Sequence, residues 1–476
     1  MNLPKNIIFL FLNVFYFFFL LISCERPYFN TSSDARLRFS TDTISFDTVL
    51  NTIVTPSKKL MVYNPYDQAV QISLLSMEGG TQSPFKLNID GTAGNSAKEI
   101  EILPHDSMYI FIQLKNNVQN QDLPAYISDK LNFVINGHSQ QVILKAWGQD
   151  VIVLRNAHLT SQTLTNNKPY LVYGSLTIDP GALVILNAGT RLYFHDTASL
   201  VVKGSLQAMG TLSKPVVMCC DRFDYLLPDI PYSIMGGMWR GITFQTASQN
   251  NILNYTQIRN AISAIYFNDS TLQLHTRIEI SNSKIENNSF CGILAQNTQL
   301  KLSNTIISNS GSYLFRAVGG GSYEFIHCTL ANYYELGGKG TESVYLSNSS
   351  DNKSNPLTVF FGNSVITGYG FNELLMVKSK TSSFNYLFQN SFIKVSDFTG
   401  IDTINSNHFT HCIYSSGTRS MFKAYAHYKY DFMPDSLSIL INKGSDSIAS
   451  LYPTDLKGNT RTTGKPDIGA IEYFKK

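Results

Sequence analysis

The segment from residue 221 to residue 269 contains the best candidates for acid–base chemistry in this 476-residue chain. They are Asp221, Asp224, Arg240 and Asp269, which combine carboxylates with a fixed positive charge beside several aromatic residues. Two carboxylates at a set separation can cleave a glycosidic bond, one acting as the acid and the other as the base or nucleophile. The simpler hypothesis is a solvated loop in which Arg240 pairs with one of the carboxylates.

Metal and cofactor sites are not indicated. His408 and His411 are three residues apart, and on a strand their side chains would lie on opposite faces. The chain has no Cys-x-x-Cys pair, the spacing typical of zinc and thioredoxin-like sites. We therefore expect neither a metal nor a cofactor.

Tyrosines are abundant, with 26 in the chain. Four candidates for a binding surface are Tyr313, Tyr323, Tyr333 and Tyr345. On an exposed face, tyrosine rings can stack on sugars or on a partner protein. The alternative is that the rings are buried and only fill the interior of the fold.

The N-terminus resembles that of bacterial lipoproteins. Lys5 precedes an apolar run over residues 7–21, and residues 21–24 read Leu-Ile-Ser-Cys. The run is shorter than the roughly 20 residues of a membrane span and fits a secretory signal peptide. The resemblance implies a signal peptide over residues 1–23, a membrane anchor through lipid on Cys24, and a tether over residues 24–36. An uncleaved anchor helix is the alternative.

This anchor leaves its orientation open. Only Glu25 follows Cys24 before Arg26, without the acidic run that surface-exported lipoproteins tend to carry. We expect an outer-membrane location in the cell envelope, facing either the periplasm or the outside.

The five later cysteines lie in strand-like segments. They are Cys219, Cys220, Cys291, Cys328 and Cys412. Cysteine is a small apolar residue that is commonly buried. We expect these five to be buried side chains, with disulfide bonds as the alternative.

Residues 37–150 alternate apolar and polar residues in about seven short runs, which predicts an antiparallel β-sandwich. Asn64-Pro65 and Asn136-Gly137 mark turns between the runs. The segment resembles the immunoglobulin-like domains of Bacteroidota surface lipoproteins.

Residues 156–476 carry a repeat. Gly174-Ser175-Leu176 recurs as Gly204-Ser205-Leu206, and a looser repeat places Asn260, Asn287, Asn309 and Asn332 at intervals of 27, 22 and 23 residues. Such periods with short strands are typical of a solenoid. We predict a parallel β-helix in which the asparagines form a ladder at a turn. Its inner apolar column would contain Ile258, Ile285, Ile307 and Leu330.

The last segment, about residues 439–476, predicts a cap for this solenoid. Its distinctive residues are Asp455, Gly458, Arg461, Asp467, Gly469 and Glu472. They resemble the terminal segment of right-handed β-helix repeat proteins of Bacteroidota, which implies a right-handed β-helix. A cap would cover the open end of the coils, and we expect Asp455, Arg461 and Asp467 to form ion pairs within it.

Three functional hypotheses follow. A net charge of +3 without a basic run argues against nucleic acid as a partner. The first hypothesis is a non-catalytic binding module that recognises glycan or protein through the β-helix face. The second is a structural subunit of an outer-membrane protein assembly. The third is a carbohydrate-active lyase or hydrolase, for which the chain shows no paired carboxylates or calcium-binding Asp cluster.

Overall fold

A computed structural model describes residues 28–51, 53–116, 121–268, 277–338, 342–351, 353–396, 407–415, 421–461 and 464–474. The predictions for the signal peptide and Cys24 lie outside these residues, as does Asp269. The fold is essentially all-β, as predicted, and divides into two units at Asp150 and Val151. None of the helices in the described ranges is long and apolar enough to cross a membrane.

The first unit is the predicted β-sandwich. Its ten strands are β1 (Arg38–Phe39), β2 (Thr43–Leu50), β3 (Lys58–Tyr63), β4 (Val70–Met77), β5 (Phe85–Ile89), β6 (Thr92–Ala93), β7 (Ser96–Ile102), β8 (Ser107–Leu114), β9 (Ala125–Ile135) and β10 (His138–Gln149). They form two five-stranded sheets, in the orders β1-β3-β8-β5-β6 and β2-β10-β9-β4-β7. The alternating apolar residues of both sheets face one shared core. Asn136 and Gly137 have positive φ angles at the β9–β10 hairpin, as the turn prediction requires.

The second unit is the predicted parallel β-helix. Its strands are β11 (Ile152–Leu159), β12 (Gln162–Leu164), β13 (Tyr170–Ile178), β14 (Leu183–Leu186), β15 (Arg191–Val202), β16 (Ser205–Met209), β17 (Val216–Cys220), β18 (Tyr225–Leu227), β19 (Ile230–Pro231), β20 (Gly241–Gln245), β21 (Asn251–Asn254), β22 (Thr256–Arg259), β23 (Ser263–Asn268), β24 (Arg277–Ser281), β25 (Lys284–Asn288), β26 (Cys291–Ser303), β27 (Ile306–Ser310), β28 (Tyr313–Ile326), β29 (Thr329–Asn332), β30 (Val344–Ser347), β31 (Ser349–Ser350), β32 (Lys353–Ser354), β33 (Leu357–Gly362), β34 (Val365–Gly368), β35 (Leu374–Val377), β36 (Phe384–Gln389), β37 (Phe392–Lys394), β38 (Phe409–Thr410), β39 (Ile413–Ser415), β40 (Phe422–Ala424) and β41 (Asp431–Pro434). One short helix, α1 (Asp446–Ala449), follows. Twenty-five of the strands join in one continuous sheet whose coils stack in parallel.

The inner apolar column has the predicted register. Ile258 pairs with Ile285, Ile285 with Ile307, and Ile307 with Leu330, and all four are buried. Each coil therefore buries its apolar residue against the equivalent residue of the next coil, which a single coil cannot do alone.

The asparagine ladder forms only in part. The Nδ2 of Asn309 donates to Oδ1 of Asn287 at 3.3 Å, and both residues have positive φ angles, which asparagine tolerates well. Asn260 donates instead to the segment 221–237. Asn332 does not join the ladder either, because its Nδ2 donates to the backbone carbonyl of Ser310.

A second ladder occupies the corner that begins each repeat. Its side chains are Ser283, Thr305, Cys328, Ser364, Ser391 and Cys412, and each donates to a carbonyl two residues earlier. The preceding residues all have positive φ angles and are Asn282, Asn304, His327, Asn363, Asn390 and His411. Cys328 and Cys412 thus occupy positions that serine or threonine fills in neighbouring coils.

The C-terminal segment, residues 435–461 and 464–474, lies along the flank of several coils. Leu440 and Ile468 pack with residues of β27, β34 and β37 in a separate apolar cluster. The backbone N–H of Gly469 donates to the carbonyl of Asn363, and that of Ala470 to Thr329 Oγ1. The described contacts therefore tie neighbouring coils to one another along their side, whereas a cap over the open end of the coils was expected.

The predicted cap residues converge in this segment, with a different pairing from the one expected. The buried guanidinium of Arg461 pairs with Glu472 and also donates to Asn304 Oδ1 at 3.0 Å. Asp455 and Asp467 accept backbone N–H groups, including those of Glu472 and Tyr473. Gly458 and Gly469 have φ angles of 79° and 112°, which side-chain-bearing residues rarely adopt.

Candidate functional site

The carboxylates proposed for catalysis have separate partners. Oδ2 of Asp221 lies 2.7 Å from Nδ1 of His195, and Asp224 accepts two hydrogen bonds from Arg222, both of 2.7 Å. Burial raises the pKa of Asp221, and the hydrogen bond and charge of His195 oppose that rise. Arg240 is exposed at the start of β20. Asp221 and Asp224 therefore do not form the facing acid–base pair that glycosidic cleavage needs.

The segment 221–237 is braced at its base instead. The Nδ2 of Asn260 lies within 3.1 Å of the carbonyl oxygens of Tyr232, Ser233 and Met235, and Gly236 N donates to the hydroxyl of Tyr334. These bonds hold the segment against the coils. Its hairpin, β18–β19, leaves three apolar residues about half exposed, namely Tyr225, Leu226 and Leu227.

Two of the four candidate tyrosines are buried, so the binding prediction was wrong for them. Tyr323 is 1% exposed, packs its ring against Phe315 and donates its hydroxyl to the carbonyl of Gly320. Tyr333 is 6% exposed and packs against Phe432 near the C-terminal segment. Both rings fill the interior, which was the alternative hypothesis.

The other two tyrosines meet on the outer surface. The ring centroids of Tyr313 and Tyr345 are 5.9 Å apart, and Phe290 packs edge-on against Tyr313 at 6.2 Å. The guanidinium carbon of Arg316 lies 5.4 Å and 5.3 Å from the two tyrosine rings. We call Phe290, Tyr313, Arg316, Tyr345 and Leu375 the tyrosine–arginine patch.

Strand alternation places this patch outside the β-helix. Val344 and Leu346 face the core, so Tyr345 between them faces outward. Arg316 pairs with Tyr345 and Tyr345 with Leu375 across adjacent parallel strands, which puts them in one outward column. Neighbouring strands are about 4.8 Å apart, so the column presents a side chain at that interval along the stack.

The guanidinium of Arg316 is held by its surroundings. Its Nε is shielded from solvent by the surrounding protein, and the described part of the chain supplies it with no acceptor. A ligand at the surface cannot reach this shielded atom, so the patch offers the positive charge of the guanidinium rather than its Nε donor. The two aromatic rings hold that charge in place on the outward face.

The histidines and cysteines that the structure describes show no metal-binding arrangement. His408 Nδ1 lies 2.9 Å from the carbonyl oxygen of Tyr386, and His411 occupies a corner of the coil with a φ angle of 53°. The five cysteines that the structure describes are free thiols, and four of them are buried. Across the described ranges, no three His, Cys, Asp or Glu side chains are arranged to hold a metal ion.

No protein-family model and no curated protein matches this chain.

Proposed function

We propose that this protein is a membrane-anchored cell-envelope lipoprotein that acts as a non-catalytic binding module and recognises glycan through the tyrosine–arginine patch. The observation that carries the proposal is the guanidinium of Arg316, which lies against the rings of both Tyr313 and Tyr345 on the outward face of the β-helix. Aromatic faces stack on the C–H faces of sugars, while a guanidinium binds carboxylate or sulfate groups through paired hydrogen bonds. The patch therefore favours an acidic glycan.

The parallel coils suit a chain-like ligand. Because equivalent outward positions recur about every 4.8 Å, successive side chains can contact successive parts of an extended polymer. Tyr266 and Leu294 continue the same outward column on the far side of Arg316. A glycan lying along this column would contact three or four coils without any rearrangement of the backbone.

A glycan array with the full-length protein tests the proposal. We expect binding to acidic glycans that falls at least tenfold in Tyr345→Ala and Arg316→Ala. Arg155→Ala is the matched control, because Arg155 lies over a single ring, that of Tyr173, at 4.0 Å on another face of the β-helix. Equal loss in Arg155→Ala, or no glycan binding by the wild type, would overturn the proposal.

The same samples should be checked for released sugar. The engaged carboxylates of Asp221 and Asp224 lead us to expect none. Release of sugar would instead support the third hypothesis, a lyase or hydrolase.

A structural role in an outer-membrane assembly is the second candidate. It is favoured by the braced hairpin β18–β19, whose residues Tyr225, Leu226 and Leu227 are 53%, 48% and 56% exposed. Exposed apolar side chains held on a rigid support are typical of protein docking surfaces. Replacing Leu226 and Leu227 by serine should abolish co-purification with an outer-membrane partner if this role is correct.

A further inference from the structure

The β-sandwich carries a concave surface that the sequence analysis did not single out. A hollow of about 440 Å³ lies beside β9 and β10, a size within the usual range of small-molecule sites. Residues that matter for its chemistry are Glu78, Gln82, Tyr126, Asp129, Lys130 and Ile143.

An aromatic pair borders the hollow. Tyr126 and Trp147 are directly opposite each other on β9 and β10, with ring centroids 5.3 Å apart in an edge-on arrangement. They are 54% and 49% exposed, and Ile143 in the hollow is 44% exposed. Half-exposed aromatic rings beside polar groups are suited to the mixed surface of a sugar ring.

The polar side of the hollow is built around Asp129. Its Oδ1 accepts the backbone N–H groups of Gly79 at 3.1 Å and Lys130 at 2.7 Å, so the carboxylate is fixed in position. A Cβ atom on residue 79 would lie 2.7 Å from Asp129 Oδ2, so glycine there leaves room for the carboxylate. The ammonium of Lys130 lies 3.4 Å from Glu78.

We propose that this hollow is a saccharide-binding site for a neutral sugar ring, separate from the tyrosine–arginine patch. Carboxylate, amide and ammonium groups can bind hydroxyls as acceptors and donors, while Tyr126 and Trp147 stack on the ring. Lys130 and Lys145, which pairs with Ser128 of the hollow on the same outward face, balance the two carboxylates. The site therefore has no excess positive charge to attract an acidic glycan. The inference does not depend on the proposed function of the β-helix.

The opposite sheet offers a matched control. Tyr109 and Phe111 form a similar exposed pair, with ring centroids 5.1 Å apart. Phe111 lines a hollow of about 310 Å³ whose charged group is Lys86 and which includes no carboxylate. Comparing variants of the two pairs therefore distinguishes the effect of an aromatic pair alone from that of an aromatic pair combined with fixed carboxylates.

Calorimetric titration of the full-length protein tests the site. The probes are neutral oligosaccharides of glucose, mannose and xylose, with polygalacturonate as the acidic probe. We expect at least one neutral oligosaccharide to bind, and its affinity to fall at least tenfold in Tyr126→Ala and in Trp147→Ala. Asp129→Asn, which keeps the shape of the side chain, should weaken binding as well, while Tyr109→Ala should not.

Two outcomes would overturn the inference: no neutral oligosaccharide binds the wild type, or Tyr109→Ala weakens binding as much as Tyr126→Ala.

Arg316→Ala distinguishes the two proposals, because it should lower binding of the acidic probe and leave binding of the neutral oligosaccharides unchanged. If neutral binding persists while the acidic probe never binds, the sandwich site stands and the β-helix proposal fails. Thermal melting of each variant checks that the fold is intact.

Discussion

Arg461→Met should destabilise the β-helix strongly, because Arg461 links three parts of the chain. Its side chain is 0% exposed, and it donates to the carboxylate of Glu472, to Asn304 and to the carbonyl of Gly469. Methionine fills similar space but donates no hydrogen bond. Removing one partner of a buried ion pair costs about 3–5 kcal/mol, because the other group remains buried without its partner.

Urea unfolding followed by tryptophan fluorescence measures this loss. Trp239 is 0% exposed and stacks on Phe194 with centroids 4.0 Å apart, so it reports on the β-helix. A Trp147→Phe background removes the signal of the sandwich. Lys301→Met is the control, since the Lys301–Glu324 pair at 3.7 Å is well exposed and should be worth about 1 kcal/mol or less.

Equal shifts of the unfolding midpoint in Arg461→Met and Lys301→Met would contradict this expectation. A double variant, Arg461→Met with Glu472→Met, should recover part of the stability, because it removes the buried carboxyl group that has lost its partner.

Three further predictions concern other parts of the chain. Burial raises the pKa of Glu472 to about 7, so between about pH 4.5 and 7 the folded state binds a proton that the unfolded state has lost. The stability of the β-helix should therefore fall by up to about 3 kcal/mol as the pH rises through this window. Thermal melting at pH 5 and pH 8 measures this change, and the difference between the two melting temperatures should be smaller in Glu472→Gln than in the wild type. Asn260→Gly keeps the positive φ angle but removes the three amide contacts to residues 232–235, so trypsin should cleave after Arg222 faster than in the wild type. Cys24→Ala should abolish incorporation of radiolabelled palmitate in the producing cell, and equal labelling of both proteins would contradict the lipidation prediction.

Much of the fold could be predicted from periodicity, because stacked coils repeat the same burial pattern. The column through Ile258 and Leu330 follows from equivalent positions alone. The alternation of inward and outward residues along a strand also distinguishes the buried tyrosines from the outward-facing ones. Tyr323 lies between Ser322 and Glu324 and faces inward, whereas Tyr345 lies between two core residues and faces outward.

The remaining contacts depend on register that the sequence does not specify. His195 meets Asp221 because residues 26 apart become neighbours on adjacent coils, and irregular coil lengths hide that relation. Arg461 and Asn304 are 157 residues apart and meet only once the C-terminal segment folds back along the flank. Pairings of this kind follow from tertiary packing, which overrides any local pattern.

The proposed binding of glycan by the tyrosine–arginine patch can be tested with one quantity. The most direct measurement is the dissociation constant of the best acidic ligand for the wild type, Arg316→Ala, Tyr345→Ala and Arg155→Ala. We expect at least tenfold weaker binding in Arg316→Ala and Tyr345→Ala and unchanged binding in Arg155→Ala. Equal affinity in all four proteins would contradict it, because the ligand would then bind elsewhere on the molecule.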